Sequence, residues 1–383
     1  MSTGLKTIVE NIEKRSNESV ILTNGVDHRL YIPSNNQLVK LNIHIDKNAK
    51  VHDGLYIIRI FSNNIDEYIK NFEDIMKMYK ITNKCRYRMS HLQLLINYSL
   101  LQKSEKTNGK IECDELDEYE KEFIKDTSAF FIIYGNKKKD KKTVSYDINS
   151  FYPYCMQSYK FLFKKGIMIN IRNMDELEKC SYYYVKVKVD VDTMPFYYKV
   201  TNNVLWLTNF DIYTFVMSGT KFELVDGMNC YYYGPIQSKY ENVSKIHSNI
   251  NKLYKLKNVS PTHKMCLKSM HGVIFGSEKI REQIPVLDEN GEQVKTIDID
   301  TMEEIDLMED KKREVKIFRN IIGHRNYSFF YAYTRYTMFK KYIKPVLDAG
   351  IKIDRVYCDS ITCAKNDVLD KMIGPNIGQM KYE

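Results

Sequence analysis

No Cys-x-x-Cys pair occurs in this 383-residue chain; its eight cysteines, Cys85, Cys113, Cys155, Cys180, Cys230, Cys266, Cys358 and Cys363, are scattered. That scatter argues against a structural zinc site or a disulfide framework and for a reducing compartment. No apolar run approaches the ~20 residues of a membrane span. The first residues, MSTGLKTIVENIEKRS, lack the apolar stretch of a signal peptide. The expectation is a soluble intracellular protein with no membrane partner. Internal repeats and long low-complexity linkers are missing as well.

The chain carries 58 Lys+Arg against 49 Asp+Glu, a net charge of +9, which favours polyanionic partners over acidic substrates. Its length suffices for two or three compact units with a sizeable core. The 30 tyrosines suit stacking on bases, but filling half-buried sheet faces is their commoner use.

Alternation in Leu38–Ile45 and Leu55–Ile60 predicts strands, and Ile65, Tyr68, Ile69, Phe72, Ile75, Met76 and Tyr79 share one face of a helix. Residues 100–122 are polar and acidic, as a connector would be. A basic run, Lys137–Lys142, precedes an apolar strand, Thr143–Ile148. Residues 182–233 read as sheet and 241–258 as helix; Ser260-Pro261 restarts a helix, with Ser260 as its N-cap. Asn290-Gly291 between apolar alternations predicts a hairpin over 283–298. A helix over Ser328–Lys344 leads through Ala349-Gly350 into a strand ending at Cys358.

Three segments carry chemistry. In Tyr146-Asp147-Ile148-Asn149-Ser150-Phe151-Tyr152-Pro153 an apolar strand ends in an aspartate and then turns. A carboxylate there can hold a hard cation, or simply cap the turn. In His263-Lys264-Met265-Cys266-Leu267-Lys268-Ser269-Met270-His271-Gly272, helical spacing puts Lys264, Lys268 and His271 in one basic stripe opposite Cys266, Met270 and Val273. Such a stripe near a helix N-terminus suits a triphosphate, or is a solvated face. In Arg355-Val356-Tyr357-Cys358-Asp359-Ser360-Ile361 a second apolar strand delivers an aspartate to a tight turn. Two aspartates on neighbouring strands could hold two metals ~3.5–4 Å apart for in-line phosphoryl displacement.

In this order the segments resemble the A, B and C motifs of family B DNA polymerases. The first follows D-x-x-S-L-Y-P with Phe151 for Leu. The second follows K-x-x-x-N-S-x-Y-G at Lys264, Ser269 and Gly272, with Lys268 for Asn and His271 for Tyr. The third departs further from Y-x-D-T-D-S. Asp359 aligns with the second family aspartate through Asp359-Ser360-Ile361, or with the first through Tyr357-Cys358-Asp359. We take the former, the usual metal ligand; either way one acidic position is missing. Phe131–Asn136 is similar to the Tyr-x-Gly-Gly segment of the protein-primed viral and linear-plasmid branch. Phe329–Phe339, with Arg335, resembles the palm helix before the third motif, and Ile377–Glu383 the strand after it.

The resemblance covers about Phe130–Glu383. It implies an α+β right-hand polymerase with an antiparallel palm sheet, helical fingers and a reduced N-terminal domain. The expected divisions are 1–125 N-terminal domain, 126–239 palm, 240–282 fingers, 283–325 hairpin insertion and 326–383 palm, with no thumb. Asp147 and Asp359 are the implied catalytic metal ligands for two Mg²⁺, with Mn²⁺ as a substitute. Ile148, Ser150, Phe151, Tyr152, Lys264, Lys268, His271 and Gly272 are the implied nucleotide site, Tyr152 being the gate against a ribose 2′-hydroxyl. Lys137, Lys138, Lys139, Tyr134 and Gly135 are the implied DNA contacts.

The implied activity is template-directed transfer from a dNTP to a primer hydroxyl on DNA or a priming protein. Primer-template DNA, dNTPs and a terminal protein, or a chain supplying the thumb, are the expected partners. The Asp-x-Glu of family proofreading domains occurs nowhere, and Asn63–Asp66 and Tyr119–Asp126 resemble the later exonuclease motifs only loosely. No nuclease activity is therefore expected. The chain also stops before the family's Lys-x-Tyr segment and thumb. Two rivals remain: a catalytically silent polymerase fold in a replication or assembly complex, and a nucleotidyltransferase acting on protein or RNA.

Overall fold

The computed structural model describes residues 19–79, 143–258 and 321–383 with short gaps, the backbone of strands within 278–318, and parts of 81–135 and 263–270. The chain forms two compact units: Met1–Lys103 with Lys255–Asn320, and Ser104–Tyr254 with Ile321–Glu383. No described helix is long and apolar enough to cross a membrane.

In the first unit, strands Val20–Thr23, His28–Ile32, Gln37–Leu41, Val51–His52 and Leu55–Arg59 make one sheet. Val20–Thr23 pairs parallel with Leu55–Arg59; its other neighbour, and the remaining pairs, run antiparallel. The helix Ile65–Tyr79 forms as its spacing predicts, burying Ile65, Tyr68, Ile69, Phe72 and Ile75. Farther along, Gln283–Leu287 pairs with Gln293–Asp298, as the hairpin signal predicts, and Glu304–Asp306 adds a third strand. The turn itself, with Asn290 and Gly291, lies outside the described residues.

The second unit holds two antiparallel sheets, whose elements we number in chain order. They are β1 (Ile133–Tyr134), β2 (Thr143–Ile148), α1 (Phe151–Ser158), β3 (Ile167–Ile169), β4 (Ser181–Val189), β5 (Val204–Thr208), α2 (Asn209–Ser218), β6 (Phe222–Leu224), β7 (Cys230–Pro235), α3 (Ser244–Leu256), α4 (Ile321–Met338), β8 (Ile353–Tyr357), β9 (Ser360–Ala364) and β10 (Met380–Tyr382). One sheet has the order β5-β4-β7-β3, with β6 also on β4; the other has the order β10-β2-β9-β8-β1.

Tyrosines fill the sheet faces. Tyr182, Tyr183 and Tyr184 are consecutive and all buried, so β4 is covered on both sides. Phe329 of α4 packs against the rings of Tyr182, Tyr184 and Tyr233 at 5.1, 4.6 and 5.5 Å. The helix begins at Ile321, earlier than the apolar pattern suggests, because Arg325 and Asn326 are buried polar residues with partners. A π-turn at Phe339–Ile343 follows, just before Pro345, whose ring and missing N–H disrupt the regular ladder.

Residues 182–233 also contain α2, where the apolar sequence suggests only sheet. Thr208 caps it by accepting the Asp211 amide, and Gly219 closes it at φ 77. The acidic segment expected as a connector is built into the second unit. Glu120 is buried and bidentate to Arg325, at 2.6 and 2.9 Å, and Arg325 also donates to the carbonyls of Asp114 and Phe163. The unit thus reaches back past the expected boundary at residue 125.

Candidate functional site

Asp147 lies one residue before the end of β2, flanked by strands on both sides. On one side it stands opposite Ser360 at the start of β9. On the other it stands opposite Lys381 of β10. Residues opposite each other in an antiparallel pair share a face, and Lys381 Nζ reaches Asp147 Oδ2 at 2.6 Å. Asp359 sits in the two-residue turn joining β8 to β9, and its carbonyl accepts the Ile148 amide at 2.9 Å. The sheet thus brings the strand ends bearing both aspartates together. Cys358, the other turn residue, has a φ of +51, a conformation that non-glycine residues adopt at a cost.

The turn after Asp147 is clamped to the segment before β10. Asn149 donates its backbone amide to Gln379 and its side-chain amide to Gly374, and its carbonyl accepts from Gly378, all at 2.8–2.9 Å. Ser150 is left-handed, φ 53 and ψ 53, and begins α1 without a side-chain cap bond. Where the sequence suggests a turn closed by aromatics, the chain enters a helix; Pro153 is tolerated in its first turn because those N–H groups need no helical acceptor.

Phe151 is buried at 1 % exposure against Tyr342, so its side chain is core rather than lining. Tyr152 is partly exposed and neighbours Cys358. Burial pushes the Tyr152 hydroxyl well above its ordinary pKa, and the neighbouring Cys358 and Asp359 add to the shift. Burial also pushes the Cys358 thiol up, again with a contribution from Asp359. Tyr152 therefore stands beside the Asp359 turn as a neutral phenol. Gly378, at φ 74, lies against the Tyr154 ring so closely that a Cβ would overlap it. Lys341 sits over that ring at 4.4 Å and donates to the Tyr154 hydroxyl at 3.0 Å.

Tyr134 pairs with Val356, tying β1 to β8. Gly135 has φ 84, and a side chain there would meet the Asp354 carbonyl. Lys137, Lys138 and Lys139 lie outside the described residues, as do His271 and Gly272. Residues 263–270 are helical where described, with Lys264 and Lys268 exposed and Cys266 and Met270 buried, the division that the helical spacing predicts. They belong to the first unit, whereas both aspartates belong to the second.

Among the described residues no three His, Cys, Asp or Glu side chains gather as a metal cage. Mg²⁺ is usually held by one or two carboxylates, waters and substrate phosphates, so the oxygen donors of Asp147 and Asp359 suit it. The Asp147 side chain is 21 % exposed, so solvent reaches it beside the Lys381 ammonium. Lys381 and Asn149 emerge here as contributors that motif spacing did not single out.

The chain as a whole resembles a solved structure in its fold. The fold is shared in part with a DNA polymerase. Phi29 DNA polymerase bound to primer-template DNA aligns over 90 % of this chain and 60 % of its own, with a TM-score of 0.51 and 16 % identity. The same polymerase with primer-template DNA and incoming nucleotide aligns over 90 % and 61 %, with a TM-score of 0.51 and 15 % identity. The chain thus spans about 60 % of that polymerase's length. No protein-family model and no curated protein matches the sequence. The likeness is one of fold, a mixed α+β arrangement with antiparallel sheets.

Proposed function

We propose that the chain is a DNA-directed DNA polymerase of the family B type, in its protein-primed branch. The observation that carries this reading is the Ile148–Asp359 backbone bond, which joins the strand ends bearing Asp147 and Asp359. The fold likeness to phi29 DNA polymerase supports it. In the proposed reaction a primer hydroxyl attacks the α-phosphate of a dNTP and pyrophosphate leaves. Asp147 and Asp359 would hold Mg²⁺. When bound, the metal offsets charge on the attacking and leaving oxygens.

Ser150 and Phe151, through the backbone of the turn after Ile148, would line the triphosphate site, and Tyr152 would press on the sugar. The motif resemblance alone assigns Lys264, Lys268, His271 and Gly272 a nucleotide-binding role, in which the lysine ammonium groups would offset phosphate charge. Tyr134, Gly135 and Lys137–Lys139 would contact DNA, mainly through phosphates. Primer extension with Mg²⁺ tests the reading: extension lost on Asp147→Ala and on Asp359→Ala supports it, and extension undiminished in Asp147→Ala overturns it.

A second reading, a silent polymerase fold that binds nucleic acid, is favoured by the single acidic residue of the β8–β9 turn. It requires DNA binding with no extension from any primer.

A further inference from the structure

The ion pair at Asp147 is set by the sheet, not by the meeting of two free surface side chains. Strand β10 fixes Lys381 opposite Asp147 in register. That strand is anchored on both sides of Lys381: the Tyr382 hydroxyl donates to Asp370 Oδ1 at 2.7 Å, and the Gln379 carbonyl accepts the Asn149 amide at 2.8 Å. The 2.6 Å contact to Oδ2 therefore fills one side of the carboxylate with a cation. Because Lys381 is 51 % exposed on a flexible four-carbon stem, it can leave that position without moving the backbone.

We infer that Lys381 is a positioning residue that controls loading of the metal site: in the free chain its ammonium holds the Asp147 carboxylate, and a divalent ion binds only by displacing it. The inference rests on the metal-site reading of Asp147 and adds how that site is kept closed. Two physical effects oppose the metal. The ion must break an existing charge-assisted hydrogen bond, and it must approach while a tethered positive charge lies a few ångströms away. The displaced ammonium remains tethered beside the site, where an incoming triphosphate offers it new oxygens. Metal and nucleotide then load together more favourably than metal alone.

The test measures Mn²⁺ binding to the full chain, without nucleotide, from the paramagnetic resonance signal of the free ion. Lys381→Ala is expected to bind Mn²⁺ roughly five- to tenfold more tightly than the unaltered chain, as expected for loss of one nearby cation. Lys381→Arg should bind like the unaltered chain. In an Asp147→Asn background, Lys381→Ala should change nothing. Equal or weaker binding by Lys381→Ala overturns the inference, as does tightening that persists in the Asp147→Asn background. Melting temperatures of each variant verify that the fold is intact. Primer extension by the unaltered chain, run alongside, separates the two readings: extension without any Lys381 effect removes the latch alone, whereas a Lys381 effect without extension removes the polymerase reading alone.

Discussion

The carbonyl of Asp359 accepts the amide of Ile148 at 2.9 Å, so the backbones of the two aspartate-bearing segments are joined directly. This bond does not involve either carboxylate. Asp147→Asn and Asp359→Asn should therefore keep the sheet while removing the metal-binding charge. We predict that each lowers primer extension by about 10²–10³-fold or more, the scale seen when one charge-stabilising group is removed. The melting temperature should stay close to that of the unaltered chain. A collapse in stability matching the loss of extension would make these carboxylates structural.

Tyr152 borders the same turn, held by ring contacts with Phe151 and Tyr331. If the ring excludes a ribose 2′-hydroxyl, Tyr152→Ala should raise ribonucleotide insertion relative to deoxyribonucleotide. Tyr152→Phe, which keeps the ring and its contacts, should keep the discrimination. Measuring both insertion ratios decides it: a ratio unchanged in the alanine variant removes Tyr152 from the gate.

Much of this site is legible in the sequence because it is local. Apolar strands ending at Asp147 and Asp359, and the Lys264/Lys268 face opposite Cys266 and Met270, follow from period and turn chemistry. What is not legible depends on register between distant strands. Nothing near Lys381 in the chain announces that it faces Asp147. Glu120 reads as part of a solvated acidic stretch until Arg325 is found against it. Phe151 belongs to the first motif by position, yet its side chain packs in the core. Helix α2 did leave a local trace, Thr208 with Asp211 three residues on and Gly219 at the end, but its apolar, aromatic interior outweighed those caps.

The tyrosine-filled core predicts a limit on stability at high pH. Burial raises the hydroxyl pKa of Tyr146, Tyr152, Tyr182, Tyr183, Tyr184 and Tyr231 well above the ordinary value. Below pH ~10 both folded and unfolded chains keep these protons, and the neutral core is fully favourable. Above it the unfolded chain releases protons that the folded chain retains, so stability falls as pH rises. Each such tyrosine contributes up to about 1.4 kcal/mol of loss per pH unit in that window. Urea midpoints measured from pH 8 to 11 should hold level and then drop past ~10. A level midpoint across the whole range would show that these hydroxyls are not desolvated in the folded chain.

Arg335 and Asp211 form a second buried ion pair in this unit, with side chains 3 % and 0 % exposed and a separation of 2.8 Å. The Tyr198 hydroxyl donates to the same oxygen at 2.7 Å, and the Thr208 hydroxyl to the other at 2.9 Å. Both hydroxyls remain when Arg335 is removed, but they cannot neutralise a buried carboxylate. Arg335→Met should therefore cost about 3–5 kcal/mol, the scale for an uncompensated buried charge. Asp211→Asn strands the guanidinium instead and should cost a similar amount. In the double variant neither charge is left alone, and the introduced carboxamide still offers an oxygen to the hydroxyls of Tyr198 and Thr208. The double variant should consequently be more stable than the sum of the single losses implies, and close to either single variant. Urea unfolding of the four proteins in a mutant cycle measures this directly. Additive losses would mean that Arg335 and Asp211 are not coupled, and that α4 is held to the α2 side of the unit by its aromatic contacts alone.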